Sequence, residues 1–341
     1  MSGIGVIFNP RSGKNVHDPR AASRLERTLG DHGVVREAKS IDELYRVAED
    51  FKRLDIDVLG ISGGDGTNGT TITGFLDVYQ GNAIPYIALL RGGTMNTVAN
   101  SVGVDRGKPD KMLDRLCRAY VARAARPLQN VERHVMCIQA DNARMHGGGK
   151  SSVPPLGMKY GFNWGTGVVC GYLAEYYAMG ETEEGMTPQP GPVVAAKTLL
   201  RAVGSTFVRG EMIRRMAEPF RGTVELDDGM VWEERDYLSV AAGTIDQIGL
   251  NFRPFYRYGE REGAFHILGI HTSPSGFVKQ LPRIWRAAPM RPGHTYEAIA
   301  TRATIRSPSS PMRYMIDGDL YECGGPISVS IGPRVRIVVG T

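Results

Sequence analysis

The densest group of residues that could do chemistry is a glycine-rich run at residues 61–70, with the sequence ISGGDGTNGT. Glycines permit positive φ angles and leave no Cβ in the way, so backbone N–H groups in such a run can surround an anion at the start of a helix. Asp65 lies in the middle of the run, where a carboxylate could hold Mg²⁺ or take a proton from a hydroxyl group. The run predicts a phosphate site with a carboxylate beside it.

The flanking elements indicate how this site would be positioned. Residues 70–79 have apolar side chains at helical spacing, and three polar or glycine-rich loops each follow an apolar strand: 61–70 after 56–61, 92–96 after 84–90, and 9–14 after 4–8. The carboxyl ends of parallel strands meet at one edge of a sheet, so we expect the three loops to lie together. An ordinary surface turn would also account for residues 9–14, since Asn-Pro and Ser-Gly are common turn pairs.

The glycine run has a second interpretation, because Gly64-x-Gly66-x-x-Gly69 also fits the dinucleotide-binding fingerprint. A Rossmann oxidoreductase is disfavoured, since the run follows a later strand rather than the first. The next strand also ends in Leu89-Leu90-Arg91 without the acidic residue that binds a ribose.

The pattern of predicted elements divides the chain into two parts. Strand and helix patterns alternate four times before residue 130, including helices at 18–32 and 110–125, which is typical of a doubly wound, mostly parallel α/β sheet. Short alternating segments follow, separated by Gly, Pro and Asp, and predict antiparallel strands; examples are 223–226, 237–241 and 327–331. We therefore predict an α/β domain over residues 1–128 and a β-rich, sandwich-like domain over 129–341. The second domain would contain one helical stretch, 192–216, and close with a hairpin of strands 327–331 and 334–339 at Gly332-Pro333.

Composition limits the function classes. With 341 residues, 42% of them hydrophobic, the chain can form two cores. A net charge of +5 suits an anionic partner, such as a nucleotide or an acidic membrane surface, and equally simple solubility. The four cysteines are scattered and favour reduced, cytoplasmic thiols over a zinc site or a disulfide framework. No apolar run reaches the length of a membrane span, and the first strand leaves no room for a leader, so a cytoplasmic protein is expected.

Four motifs, in this order, resemble the diacylglycerol kinase catalytic-domain family, which includes bacterial lipid kinases and sphingosine and ceramide kinases. They are Asn9-Pro-x-Ser12-Gly13, Gly63-Gly64-Asp65-Gly66-Thr67-Asn68, Gly93-Thr94-x-Asn96 and Asp317-Gly318-Asp319. NAD kinases share the second motif, whereas the third and fourth resemble the lipid-kinase branch. The resemblance covers nearly the whole chain and implies ATP bound between an α/β domain and a β-sandwich that presents a lipid hydroxyl.

The resemblance also implies roles for individual residues. Those implied to surround ATP are Asn9, Pro10, Arg11, Ser12, Gly13, Lys14, Ser40, Gly63, Gly64, Asp65, Gly66, Thr67, Asn68, Gly69, Thr94 and Asn96. Arg11 or Lys14 would supply a cation for the phosphates, and Asp65 would contact Mg²⁺ directly or through water. Asp319 stands where the family usually has a glutamate proposed as general base, and would take the proton of a primary hydroxyl. A hairpin turn alone would also explain Asp317-Gly318.

Three departures from the family pattern suggest a divergent branch with its own acceptor lipid. Val169 replaces an expected acid, for which Glu175 could substitute, and Thr97 stands where Asp usually follows the third loop. Residues 262–266, Glu-Gly-Ala-Phe-His, replace an Asp-Gly-x-x-Asp element that helps to hold a structural magnesium, so no second metal site is assigned. An NAD-kinase-like enzyme acting on a soluble hydroxyl and a non-catalytic nucleotide sensor therefore stay open.

A lipid acceptor implies contact with the inner face of a membrane. The acceptor could be diacylglycerol, ceramide or a sphingoid base, and no nucleic-acid partner is expected. Residues 277–286 mix basic and bulky apolar side chains as interfacial segments do, although Pro282 favours a core-packed segment with a basic edge. No coiled-coil repeat is visible, so the sequence predicts no oligomeric state.

Overall fold

The computed structural model describes residues 3–145, 157–179, 191–207, 210–308 and 311–340. Its contacts divide the chain into unit 1, Met1–Arg133 with Arg334–Thr341, and unit 2, His134–Pro333. The sequence-based boundary lay after residue 128, with all of 129–341 in the second domain. The contacts instead return the end of the chain to unit 1, because Ile337 of the last strand pairs in parallel with Ile87.

Unit 1 is a parallel sheet with helices. Its strands are β1 (Ile4–Phe8), β2 (Gly33–Glu37), β3 (Val58–Ser62) and β4 (Tyr86–Leu89), in the spatial order β4-β3-β1-β2. Its helices are α1 (Gly13–Val16), α2 (Ala21–Leu29), α3 (Ile41–Arg53), α4 (Asp65–Tyr79), α5 (Thr97–Ser101) and α6 (Pro109–Val121), with 3-10 turns at Gly30–His32 and Ala122–Ala124. Strands β1 and β3 are buried throughout, as expected for the centre of a sheet covered on both faces.

Helix α6 shows how the apolar pattern forms the unit 1 core. Pro109 occupies the first turn, where its missing N–H is not needed. Met112, Leu113 and Leu116 are buried on one face, as the spacing predicts. The apolar spacing of this helix also predicts that Val121 points inward, but this residue, the last of the helix, is 60% exposed.

Unit 2 is built on antiparallel strands. They are β5 (Asn130–Ala140, which begins in unit 1), β6 (Arg144–Met145), β7 (Lys159–Gly161), β8 (Asn163–Thr166), β9 (Phe220–Leu226), β10 (Val231–Tyr237), β11 (Ser239–Gly243), β12 (Phe265–Ile270), β13 (Thr295–Ala300), β14 (Arg302–Arg306), β15 (Met312–Ile316), β16 (Asp319–Cys323) and β17 (Ile327–Val338, which ends in unit 1). One sheet has the order β10-β9-β14-β17, with β5 and β7 beside it, and the other has the order β13-β12-β11-β8-β15-β16-β6. Buried side chains of both sheets form one core around Trp164, Trp232 and Tyr237. The predicted fold class, α/β followed by a β-rich sandwich-like region, is confirmed.

Unit 2 has more helix than the sequence indicated. The predicted stretch 192–216 is two helices, α8 (Pro192–Phe207) and α9 (Glu211–Met216), with Arg209 outside the described residues. Further helices are α7 (Val168–Ala178), α10 (Pro274–Val278) and α11 (Leu281–Trp285). No helix among the described residues is long and apolar enough to cross a membrane.

Two strand predictions in unit 2 were wrong. The expected closing hairpin is the single strand β17, and Gly332 does not form a turn. A Cβ on Gly332 would lie 2.9 Å from the carbonyl oxygen of Val135, so this glycine permits a close approach of β5. The expected strand 237–241 is divided at Leu238, where β10 of one sheet gives way to β11 of the other.

Candidate functional site

The structure brings the three predicted loops of unit 1 together so closely that only glycine fits between them. A Cβ on Gly92 would lie 2.8 Å from the backbone nitrogen of Gly63, and one on Gly93 would lie 2.2 Å from the Cα of Gly64. A Cβ on Gly13 would lie 3.2 Å from the Cα of Gly93. We call this arrangement the glycine cradle: residues 9–15, 62–67 and 92–97. It leaves backbone rather than side chains at the ends of β1, β3 and β4.

Helix α4 begins within the glycine run rather than after it. Asp65 is its first residue, and Gly64 caps it in an extended conformation with φ −94° and ψ −174°. The glycines of this run, Gly63, Gly64, Gly66 and Gly69, all have negative or extended φ angles rather than the positive φ that glycine permits. The run therefore uses the missing Cβ. The first N–H groups of a helix have no intrahelical partner, so the start of α4 can bind an anion.

Asn9 connects the first loop to α4. Its Nδ2 donates to Thr67 Oγ1 at 2.9 Å, and its Oδ1 accepts the backbone N–H of Arg11 at 2.9 Å. The backbone N–H of Asn9 donates to Ser62 O at 3.1 Å. These bonds fix the first loop against the glycine run and leave the side chain of Arg11 exposed.

Asn15 is a positioning residue that the sequence analysis missed. It is 5% exposed, and its Nδ2 donates to Asn9 O at 2.9 Å and to Ser62 O at 3.0 Å. Its only sequence signal is an amide residue directly after the first loop. Of its neighbours, Ser12 is buried, Pro10 is half-buried, and the side chain of Lys14 lies outside the described part of the structure.

The carboxylate of Asp65 joins the starts of two helices. Its Oδ2 accepts the backbone N–H of Thr97 at 2.8 Å, and its Oδ1 accepts that of Val98 at 3.1 Å, at the first turn of α5. Burial raises the pKa of Asp65, and the two N–H donors oppose this shift. Both oxygens are thus engaged in supporting the third loop.

The third loop contains a buried hydroxyl group without a hydrogen-bond partner in the described structure. This group is Thr94 Oγ1, and among the described residues the same holds for Asn68 Oδ1 in α4. Asn96 has φ 50° and donates from Nδ2 to Gly93 O at 2.9 Å, which closes the loop. Arg91, which is 8% exposed, anchors the loop from behind by donating to Asp105 O at 2.9 Å and to Asn100 Oδ1 at 2.7 Å.

Ser40 has a structural contact of its own. Its hydroxyl accepts the N–H of Glu43 at 3.2 Å and caps α3, as the sequence predicts. No hydrogen bond joins Ser40 to the glycine cradle in the described structure. Its role at a nucleotide stays a prediction.

The residues of the cradle fit a phosphate group better than a metal held by the protein alone. The start of α4, the missing Cβ atoms and the unpartnered Thr94 hydroxyl suit phosphate oxygens. Within the described ranges, no group of three His, Cys, Asp or Glu residues could hold a metal ion. Protein-bound Mg²⁺ commonly uses one or two carboxylates together with substrate phosphates, so Asp65 alone is compatible with Mg²⁺ that arrives with a nucleotide.

Asp319 lies in unit 2 at the end of a tight hairpin. Asp317 and Gly318, with φ 46° and 96°, form a two-residue turn between β15 and β16. Asp317 is 6% exposed and accepts the N–H groups of Phe162 at 3.0 Å and Asn163 at 2.8 Å. Tyr177 donates from its hydroxyl to Gly318 O at 2.8 Å. The turn interpretation is therefore correct, and the turn presents a half-buried Asp319 as the first residue of β16.

The positions of the three family departures are occupied by other contacts. Val169 packs on a small core with Met315 and Leu320, and Glu175 Oε1 pairs with Arg215 Nε at 3.1 Å. Thr97 supplies a backbone N–H to Asp65.

At the third departure, Glu262 is exposed and His266 is fully buried. His266 Nε2 lies 3.5 Å from Glu297 Oε2, and Tyr256 donates to both oxygens of Glu297, at 2.8 and 3.0 Å. A buried histidine and a half-buried carboxylate and phenol therefore fill this place.

Residues 277–286 form parts of α10 and α11. Phe277, Leu281 and Ile284 pack on a core of unit 2, as the core-packed interpretation expects, but Trp285 is 51% exposed.

Residues 3–126, which contain the whole glycine cradle, match the family model of the diacylglycerol kinase catalytic domain. The resemblance to this family is confirmed for that part of the chain. A diacylglycerol kinase from Bacillus anthracis str. Sterne has a similar structure, with a TM-score of 0.59, 14% sequence identity, and coverage of 99% of this chain and 97% of that chain. Two further structures from the same organism, described as candidate diacylglycerol kinases, have TM-scores of 0.64 and 0.62, 15% identity and the same coverage.

No curated protein matches the chain. At 14–15% identity the structural likeness shows the fold. The family match and the shared fold together support a kinase.

Proposed function

We propose that this protein transfers the γ-phosphate of ATP to a hydroxyl group of a membrane lipid, with diacylglycerol, ceramide or a sphingoid base as the acceptor. The observation that carries the proposal is the glycine cradle at the start of α4, within the part of the chain that matches the diacylglycerol kinase catalytic domain. The reaction would take place at the inner face of a membrane, with the protein bound peripherally.

The cradle would bind the phosphates of ATP mainly through its backbone. Phosphoryl transfer requires positioning and charge neutralisation more than covalent chemistry from the protein. The N–H groups at the start of α4 and the hydroxyl of Thr94 would donate to phosphate oxygens, and Arg11 would add a positive charge. Asn9 and Asn15 hold the first loop in place for this role.

Mg²⁺ bound with ATP would neutralise charge on the transferred phosphate. Asp65 is the residue that would contact it, directly or through water, because each of its oxygens accepts one backbone N–H and keeps a further lone pair. The same carboxylate holds the third loop in position, so its two roles are compatible.

Asp319 would act as the general base that takes the proton of the acceptor hydroxyl. Its position is set by the turn before it, which Asp317 and Tyr177 hold by hydrogen bonds. Aspartate is one methylene shorter than the glutamate usual in the family, so the hydroxyl must approach the strand more closely. A positioned general base contributes about 10²–10⁴-fold to the rate.

The test is transfer of labelled γ-phosphate from ATP to a panel of lipids in mixed micelles, with NAD as a soluble acceptor. Asp319→Asn should lower kcat about 10²–10⁴-fold while ATP binding persists. Glu322→Gln, a half-buried acid on the same strand, is the matched control and should leave the rate close to that of the wild type. Labelling of NAD without lipid would support an NAD-kinase-like enzyme instead. ATP binding without labelling of any acceptor would support a sensor, and either result would overturn the proposal.

A further inference from the structure

Helix α8 in unit 2 exposes two of its large apolar side chains to solvent, while Val194, Leu199 and Val203 are half-buried. Its buried positions are occupied by small residues, Ala195, Thr198, Ala202 and Thr206, which are 0–8% exposed. Val193 and Leu200, in contrast, are 67% and 70% exposed, the highest values among the large apolar residues of the described structure. A surface helix normally buries its apolar stripe and exposes its polar one. The exposed apolar side chains of α8 therefore indicate contact with an apolar surface of a binding partner.

The charges on this exposed side of α8 have one sign. Lys197 and Arg201 are exposed and lie at helical spacing from Val193 and Leu200, so the four residues share one side of the helix. We call them the outer face of α8. The helix sequence, PVVAAKTLLRAVGSTF, contains no Asp or Glu. The outer face thus combines exposed apolar groups with positive charge that no acidic residue of the same helix offsets.

The neighbouring elements extend this character. Helix α8 packs against α10, which is followed by α11. Residues 271–296 contain no Asp or Glu but include Lys279, Arg283, Arg286 and Arg291. Trp285, at the end of α11, is 51% exposed, and tryptophan and basic side chains are both favoured at the interface of a membrane with water.

We propose that the outer face of α8 docks onto a lipid bilayer that contains anionic lipids. Val193 and Leu200 would enter the boundary between headgroups and acyl chains, and Lys197 and Arg201 would contact lipid phosphates. The inference rests on the proposed function, because a kinase that acts on bilayer lipids must reach the bilayer. It names the surface that makes this contact.

Charge favours a bilayer over a second copy of the chain as the occupant. Two outer faces packed against each other would bring Lys197 and Arg201 of both copies together without an acidic residue from either helix to pair with. An anionic bilayer supplies the opposite charge over the whole surface, and each basic residue near it strengthens binding by about fivefold.

The experiment is sedimentation of the full chain with vesicles, without ATP or an acceptor substrate, so that it does not depend on kinase activity. Wild type should bind vesicles of phosphatidylcholine with phosphatidylglycerol more strongly than vesicles of phosphatidylcholine alone. Leu200→Asp should lower binding by about tenfold or more, because it removes the apolar groups that would enter the bilayer and adds a negative charge that anionic lipids repel. The double variant Lys197→Gln/Arg201→Gln should lower binding to anionic vesicles by about 25-fold, with little effect on neutral ones.

Met230→Asp is the matched control. Met230 is 49% exposed but lies in a turn beside Asp227 and Asp228, so its replacement should not change vesicle binding. Thermal unfolding of each variant checks folding, and the basic-residue variant keeps the test decisive if Leu200→Asp is unstable.

Three results would overturn the proposal. They are equal binding of wild type to neutral and anionic vesicles, unchanged binding by both outer-face variants, and a wild-type dimer without vesicle affinity that Leu200→Asp converts to a monomer. The last result would identify a self-interface. A protein that binds vesicles through this face but labels no lipid would contradict the proposed function and leave the docking surface intact.

Discussion

Asp65→Asn offers the sharpest test of how the cradle is held together. The sequence suggests Asp65 as a contact for Mg²⁺, whereas the structure shows its carboxylate accepting the backbone N–H groups of Thr97 and Val98. If the second role is real, the substitution must destabilise the protein before any ligand is added. A carboxylate that served only the metal would show no such effect.

The magnitude follows from the two hydrogen bonds. Asparagine keeps one carbonyl oxygen, which can accept one N–H, but its amide group turns N–H donors toward the other. One buried N–H then lacks a partner, and such a loss costs about 1–3 kcal/mol. Burial raises the pKa of Asp65, so the charged carboxylate is unfavourable at this position. Removing the charge therefore offsets part of the cost of the lost hydrogen bond. We expect the free energy of unfolding to fall by about 2 kcal/mol.

Denaturant unfolding without nucleotide or Mg²⁺ measures this difference. Asp42→Asn is the matched control, since Asp42 lies in the first turn of α3 and is exposed, so its loss should cost no more than about 1 kcal/mol. Wild-type stability of Asp65→Asn, together with loss of Mg²⁺-dependent nucleotide binding, would refute the reasoning. Asp65 would then act only in binding the nucleotide and Mg²⁺.

Two further predictions address the cradle and the buried histidine. Gly93→Ala should abolish nucleotide binding, because its Cβ would lie 2.2 Å from the Cα of Gly64. The control, Gly74→Ala, has its nearest neighbour at 3.6 Å and should bind the nucleotide like wild type. Calorimetry measures the binding, and equal binding by both variants would contradict the prediction. Burial lowers the pKa of His266 below its ordinary 6.5, although Glu297 opposes the shift, so below that pH the unfolded chain takes up a proton that the folded one refuses. Stability should therefore fall as pH drops from about 7.5 to about 5.5, and thermal unfolding should show a weaker fall for His266→Gln; equal pH dependence of the two proteins would count against the prediction.

Much of unit 1 could be predicted because its signals are local. Apolar strands followed by loops locate β1, β3 and β4, and parallel order then places the three loops together. The details of backbone conformation could not be predicted in this way. Gly66 lies inside α4 with a negative φ, and the close approach at Gly93 depends on the distance between two loops, which no single segment encodes. The supporting role of Asn15 likewise appears only when Ser62 is beside it.

The wrong predictions in unit 2 have a common physical cause. The conformation and burial of these residues depend on contacts with residues that are distant in sequence. Gly332-Pro333 has the composition of a turn, but Gly332 is required by the carbonyl of Val135 about two hundred residues earlier, and the chain continues as one strand. The apolar pattern of α8 likewise predicts a helix without indicating which side is covered. Only packing shows that Ala195 and Thr198 face inward while Leu200 faces outward. The packing of α8 thus decides which of its sides is exposed, and the local pattern does not. Leu200 is 70% exposed on a helix without Asp or Glu, and this exposure does not stabilise the folded chain, so we attribute it to contact with a partner.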